Sequence, residues 1–167
     1  VDYINTTGYE CKKRKNEKYS YGINGGFKVQ LRENGLLGHK HIPSAYLRAS
    51  KVQRLALLQG LMDTDGTANM SGSVSFTTTR EELAEGTHDL IISLGWKANI
   101  IERRAKLYGK DCGPVWQIKW TPSQYVFHLK RKLSRQKLSV RRTTNFRYIV
   151  DCKPIFPVPM RCLAVDN

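Results

Sequence analysis

The stretch Leu58-Gln59-Gly60-Leu61-Met62-Asp63-Thr64-Asp65-Gly66 decides the fold. Leu55, Leu58, Leu61 and Met62 recur at helical spacing and predict an amphipathic helix. Ser50, with Gln53 three residues later, has the form of a capping box and marks its start. Gly66 is a natural stop. The helix therefore runs into Asp-x-Asp-Gly. Many ordinary loops share that ending, and so does a calcium loop, but the further acids of an EF-hand are missing after Gly66.

Toward the C-terminus the pattern switches period twice. Thr67 to Met70, a Ser71-Gly72 turn and Ser73 to Thr77 predict a hairpin, with Val74 and Phe76 on one face and Ser73, Ser75 and Thr77 on the other. Thr79 with Glu82 predicts a second capped helix through Leu83, Leu90 and Ile91 to Leu94, stopped at Gly95. Ala98 to Arg104 and Val115 to Trp120 predict a second hairpin around Tyr108-Gly109-Lys110-Asp111. In it Trp116, Ile118 and Trp120 share one face, and Gln117 and Lys119 the other. Thr121 and Pro122 predict the start of a third helix bearing Val126, Phe127 and Leu129. The order is helix, hairpin, helix, hairpin, helix, an α+β arrangement whose helices cover the apolar face of an antiparallel sheet. The polar face stays open, and a two-stranded ribbon of this kind fits the DNA major groove.

Toward the N-terminus, Lys12, Lys13, Arg14 and Lys15 form a basic knot within a polar, tyrosine-bearing segment. Phe27-Lys28-Val29-Gln30-Leu31 reads as a strand. At the other end, Lys130 to Arg147 holds eight Lys or Arg and no acid. It reads either as a solvated linker or as a phosphate-contacting segment that includes Lys130, Arg131 and Lys132. From Tyr148 onward short apolar β-like pieces are broken by Pro154, Pro157 and Pro159.

The 167 residues suffice for one or two small domains, and 40% hydrophobic content supports a packed core. The net charge of +14 attracts polyanions, a property also found in ribosomal and membrane-surface proteins. Cys11, Cys112, Cys152 and Cys162 show no zinc-like spacing, and a disulfide framework is not expected in a chain with this much core. With no membrane-spanning run and no secretory signal, the expected setting is intracellular and cytoplasmic. The absence of an initial Met suggests a piece of a longer protein.

The quoted stretch resembles the LAGLIDADG motif at seven of nine positions, counting Met62 as Ile-like; Gln59 and Thr64 depart from it. Upstream, Lys40-His41-Ile42-Pro43-Ser44-Ala45-Tyr46-Leu47 looks like the block preceding the second motif of intein-borne homing endonucleases, and Lys40 lies 25 positions before Asp65. Val158 to Asn167 looks like the intein block just before the terminal His-Asn pair. The resemblance covers roughly residues 26 to 167.

It implies a LAGLIDADG half-fold followed by short strands of an intein splicing (Hint) domain. The implied layout is residues 1–50 as the remainder of a first half, 51–133 as the second half, 134–147 as a basic linker and 148–167 as splicing-domain strands. It also implies a double-stranded DNA endonuclease using Mg2+ or Mn2+. Two such motifs must meet, so the missing N-terminal part, in the same protein or another chain, is the expected partner. Gly60 lets a second helix approach closely, and Asp65 then lies at the interface.

Asp65 is the implied catalytic acid and metal ligand, with the Thr64 carbonyl as a second oxygen. Asp63 caps or supports. Lys40 is the implied catalytic lysine for one strand. Lys119 is the matching lysine of this half or a plain phosphate contact. Ser73, Ser75, Thr77, Gln117, Lys119, Lys130, Arg131 and Lys132 are the candidate DNA contacts. His39 and His41 flank Lys40 without a visible third metal ligand and stay as surface or DNA-contacting residues. Cys162 is either a splicing nucleophile or a packed strand cysteine. Two other functions stay open: a non-cutting DNA-binding relative, and a splicing element with a decayed endonuclease insert.

Overall fold

A computed structural model describes residues 7–138 and 146–161. The central helix, Lys51–Asp65, forms as expected. Ser50 caps it: its hydroxyl accepts the Gln53 N–H at 3.3 Å while the Gln53 side chain accepts the Ser50 N–H at 3.1 Å. Gly66 ends it by an unforeseen route. Its backbone is extended (φ −77°, ψ 153°), so the chain passes from helix straight into strand. A Cβ there would lie 2.6 Å from the Met62 carbonyl oxygen, and only glycine fits this passage.

In chain order the elements are β1 (Glu10–Lys13), β2 (Tyr21–Asn24), α1 (Phe27–Glu33), α2 (Ser44–Leu47), α3 (Lys51–Asp65), β3 (Gly66–Ala68), β4 (Val74–Thr78), α4 (Glu81–Ser93), β5 (Ala98–Leu107), β6 (Lys110–Trp120) and α5 (Lys130–Leu133). β1 and β2 pair in a small antiparallel hairpin, so Lys12 and Lys13 of the basic knot lie on a strand. The main sheet is antiparallel in the order β3-β4-β6-β5. Register aligns Ser75 with Lys119 and Lys119 with Asn99, and Thr77 with Gln117 and Gln117 with Ile101. The β5–β6 hairpin turns through Tyr108 (φ 49°) and Gly109 (φ 80°), two consecutive positive-φ residues that match the twist of the strands. Beside that turn Asp111 accepts the Gly113 N–H at 2.8 Å and the Arg104 guanidinium at 2.9 Å, and these, the Gly113 bond first, hold its carboxyl below the usual range.

The core lies between sheet and helices. Leu58 and Met62 of α3, Val74 and Phe76 of β4, Leu90 and Ile91 of α4, and Ile118 and Trp120 of β6 are all buried together. Each fully buried aliphatic side chain contributes about 1.5–3 kcal/mol. Ile42 joins this core against α4, where a Cβ on Gly86 would meet the Ile42 Cβ at 3.1 Å. Arg54 ties the two long helices, donating to the Ser93 carbonyl at 2.7 Å at the end of α4.

Four expectations are corrected. Phe27–Leu31 is helical, not a strand: Phe27 and Leu31, four apart, are half-buried, and the Phe27 ring packs edge-on against Tyr9 at 5.3 Å. Arg80, without a side-chain cap, precedes α4 in place of Thr79. The third helix does not follow Thr121; residues 121–129 are irregular and only the short α5 comes after. Side chains from elsewhere take the backbone groups that a helical ladder would have used. Gln59 donates to the Tyr125 carbonyl, and Gln136 accepts the Val126 N–H and donates to the Gln124 carbonyl. Asp63 accepts the N–H groups of His128 and Leu129. This lets the adjacent Val126 and Phe127 both reach the core. Lastly, residues 146–161 contain no strand. Among the described residues, no helix is long and apolar enough to cross a membrane.

Candidate active site and nucleic-acid interface

The end of α3 carries two aspartates in different surroundings. Asp63 faces the segment after the sheet, where its carboxylate accepts His128 N–H at 3.0 Å and Leu129 N–H at 3.1 Å, with the His128 ring 3.4 Å away. It is the supporting residue that the sequence suggested. Asp65 is exposed, and its carboxylate has no hydrogen bond or ion pair among the described residues. It lines a cleft of about 1060 Å³ together with Thr64, Lys40, Thr77 and Arg80. Lys40 has no ion pair there among the described residues. The acid marked by the motif and the lysine marked by its block and its spacing thus line one cavity.

His39 and His41 beside Lys40 are engaged locally. His39 Nε2 is 2.5 Å from the Glu82 carboxylate, and its Nδ1 is 3.3 Å from His41 Nδ1. Among the described residues, no group of three or more His, Cys, Asp or Glu side chains is placed to hold a metal ion.

A second lysine reaches the same turn. Lys132 Nζ donates to the carbonyl oxygens of Met62 (2.9 Å), Thr64 (3.0 Å) and Gly66 (2.7 Å). Two of these carbonyls bracket Asp65. The cation sits at a helix C-terminus, where the backbone dipoles favour positive charge. Burial, and then Arg131, push its pKa below the ordinary lysine range, while Asp63 and Asp65 pull the other way. Grouped by sequence with the DNA contacts, Lys132 has its three donors on carbonyl oxygens instead. Sequence reading missed this role because nothing local in a run of basic residues marks which one turns inward; only the weak signal of Asp63 as a supporting acid pointed to that side.

Lys119 is elsewhere. It is exposed on the open face of the sheet, in register with Ser75 and Asn99, and lines a different recess that shares no residue with the Asp65 cleft. The structure therefore brings Lys40 and Lys132, not Lys119, to the acid. Of the other candidate contacts, Thr77 is exposed, and Gln117 half-buried, on that same face. Ser73 bonds Ser71 and Asn69 in the turn at 3.1 and 3.2 Å. Ser75 is 7% exposed and closed in at mid-sheet, less accessible than its polarity suggested. Lys130 and Arg131 are exposed without ion pairs among the described residues. Cys162 lies outside the described residues.

Among the described residues, one face of α3 has no cover. Gly60 is exposed, and a Cβ there would meet nothing within 4 Å. Val52 is 78% exposed. Beside them a shallow apolar groove of about 450 Å³ is lined by Ala45, Tyr46, Ala49, Gln53, Ala56 and Leu57.

Comparison with known proteins agrees with this geometry. Residues 52–142 match the family model described as a LAGLIDADG-like domain. The chain is also 37% identical over 146 residues, 86% of its length, to a protein named replicative DNA helicase DnaB from Mycobacterium intracellulare. It spans only 25% of that relative's length. LAGLIDADG domains are usually nucleases. The helix, the acid at its end and the antiparallel sheet beside it fall within the matched segment, and the chain belongs to the LAGLIDADG-like domain family.

Proposed function

We propose that this chain is one half of an intein-borne homing endonuclease that cuts double-stranded DNA at a specific site. The observation that carries the reading is the Asp65 carboxylate, without a partner among the described residues, on one cleft with Lys40, its turn braced by Lys132. The other half packs on the open face of α3, where Gly60 permits close approach, and brings a second acid opposite Asp65. The sheet face with Thr77 and Gln117 meets the groove, and Lys130 and Arg131 meet phosphates.

A divalent ion, Mg2+ or Mn2+, fits this site only in part. Asp65 offers one carboxylate, and the Thr64 carbonyl already accepts from Lys132, so the remaining oxygens must come from the partner half. When bound, the ion supplies charge stabilisation for the attacking and leaving oxygens at phosphorus. Lys40 stabilises the charge that develops on the phosphate, or polarises the attacking water. Lys132 fixes the two carbonyls around Asp65 and so sets the direction of its carboxylate. Asp63 holds the segment that carries Lys132.

The relative's length fits an element carried within a larger protein, and we assign residues 1–50, 51–133, 134–147 and 148–167 to the first-half remainder, second half, linker and splicing-domain tail. One observation favours a splicing context: Ile149, Val150 and Phe156 are each more than 90% exposed, an apolar tail that needs a cover. Cys162, near its end, is the candidate nucleophile of that context.

The test is cleavage of the homing-site DNA by the complete protein in Mg2+. Asp65→Asn abolishes cutting while binding persists, and cutting at the parent's rate by that variant refutes the assignment. Binding is salt-dependent: with on the order of 6–10 phosphate contacts, affinity falls about 10³–10⁵-fold between roughly 50 and 200 mM salt.

A further inference from the structure

A recess of about 360 Å³ lies at one end of the open sheet face, apart from the Asp65 cleft. Lys97, Asn99, Lys119, Thr121 and Ser123 line it, and no acid among the described residues does. Neither lysine has an ion pair among the described residues; the Lys97 ammonium lies 5.9 Å from the Tyr148 ring. Lys119 and Asn99 are cross-strand neighbours on the polar face, so the recess opens toward whatever lies on that face.

The Ser123 hydroxyl is held from behind. Its oxygen accepts the Trp96 indole N–H at 3.0 Å, which leaves the hydroxyl hydrogen free to be given to another acceptor. Trp96 is only 6% exposed and follows directly on Gly95, whose φ of 94° ends α4, so the core fixes the serine's position. Trp120 also lines the recess, and its buried indole N–H has no acceptor among the described residues. The two indoles are too enclosed to stack on a base. What the recess offers is therefore positive charge and hydrogen-bond donors, the complement of an oxyanion.

We propose that this recess is a phosphate subsite that takes one backbone phosphate of bound DNA, shared by Lys97 and Lys119 and receiving the Ser123 hydroxyl. The proposal rests on the DNA-binding reading above and adds a fixed anchor at the end of the sheet. Such a contact positions the duplex without reading its sequence.

The experiment measures binding of the 167-residue chain to duplex DNA against salt, in the parent and in Lys97→Met, Lys119→Met, the double variant and Ser123→Ala. Two lysines on one phosphate make the double variant lose about 0.9 from the log–log salt slope; two independent phosphates would remove about 1.8. Ser123→Ala weakens binding about tenfold at unchanged slope, as expected for a hydrogen bond to a charged group. That loss disappears in the double-lysine background, because the phosphate is no longer held there. An unchanged slope in the double variant, a loss near 1.8, or the same Ser123→Ala loss in both backgrounds overturns the subsite. A parent that fails to bind duplex overturns the DNA reading itself, a separate outcome. The Trp96 indole N–H resonance distinguishes the source: it moves on adding duplex, whereas movement with inorganic phosphate alone and not with duplex rules out a DNA strand.

Discussion

The two sides of the α3 terminus differ in how far the chain satisfies its own acids. On the side of Asp63 everything is tied: backbone N–H groups of His128 and Leu129 converge on the carboxylate, and Lys132 returns from the same segment to the helix carbonyls. On the side of Asp65, two residues on, the carboxylate faces a wide cleft without a partner among the described residues. A carboxylate that must bind something else has to be left unsatisfied by its own chain, and it stays in place only if the backbone around it is held. The clasp through Asp63 and Lys132 does that holding.

The largest effect on stability is expected at Asp63. Asp63→Ala leaves two backbone donors of the 121–136 segment without their charged acceptor, a loss on the order of 3 kcal/mol in chemical denaturation. A loss below roughly 0.5 kcal/mol, the range of ordinary surface changes, would break the comparison. Lys132→Met comes next. It keeps the buried stem but leaves three helix-end carbonyls to water, for about 1–2 kcal/mol, and in the complete protein it slows cutting because Asp65 is no longer aimed. Normal cutting by a destabilised Lys132→Met protein would confine this lysine to a structural role.

Gly60→Ala changes sign. In the isolated chain an exposed helical glycine with open space at its Cβ gives way to the best helix former, a gain of about 0.5–1 kcal/mol in thermal unfolding. In the presence of the other half the same methyl weakens association, which sedimentation would register; a gain in both assays would remove the open face as an interface. The smallest stability effect belongs to Asp65. Asp65→Asn alters the unfolding midpoint by less than about 0.5 kcal/mol even though it ends cutting. A large stability change there would mean that this carboxylate is structural after all.

Much of the half-fold is legible in the sequence because its elements are bounded by local chemistry. The Ser50–Gln53 capping box, the alternation of Val74 and Phe76 and the Trp116-Ile118-Trp120 stripe each act through near neighbours, and each forms as the pattern predicts. The errors fall where distant side chains override local preference. Phe27–Leu31 has a strand-like composition, but four-residue spacing of its apolar ends and the Tyr9 ring favour a helix. Thr121-Pro122 has the form of a helix start, yet Gln59, Asp63 and Gln136 capture the backbone that follows.

For the proposed site, the sequence by itself marked Asp65 and Lys40, by motif and by spacing, quantities that the chain carries along its length. It could not rank Lys119 against Lys132. Lys119 lies in an alternating strand and Lys132 in a strongly basic run, and neither motif nor charge says which ammonium turns inward. Only the tertiary structure decided that, because an ammonium finds three carbonyl acceptors only where a helix ends with its last carbonyls open and another segment passes within reach. That meeting joins residues 66 to 70 positions apart in the chain, and it comes into being only when the core closes.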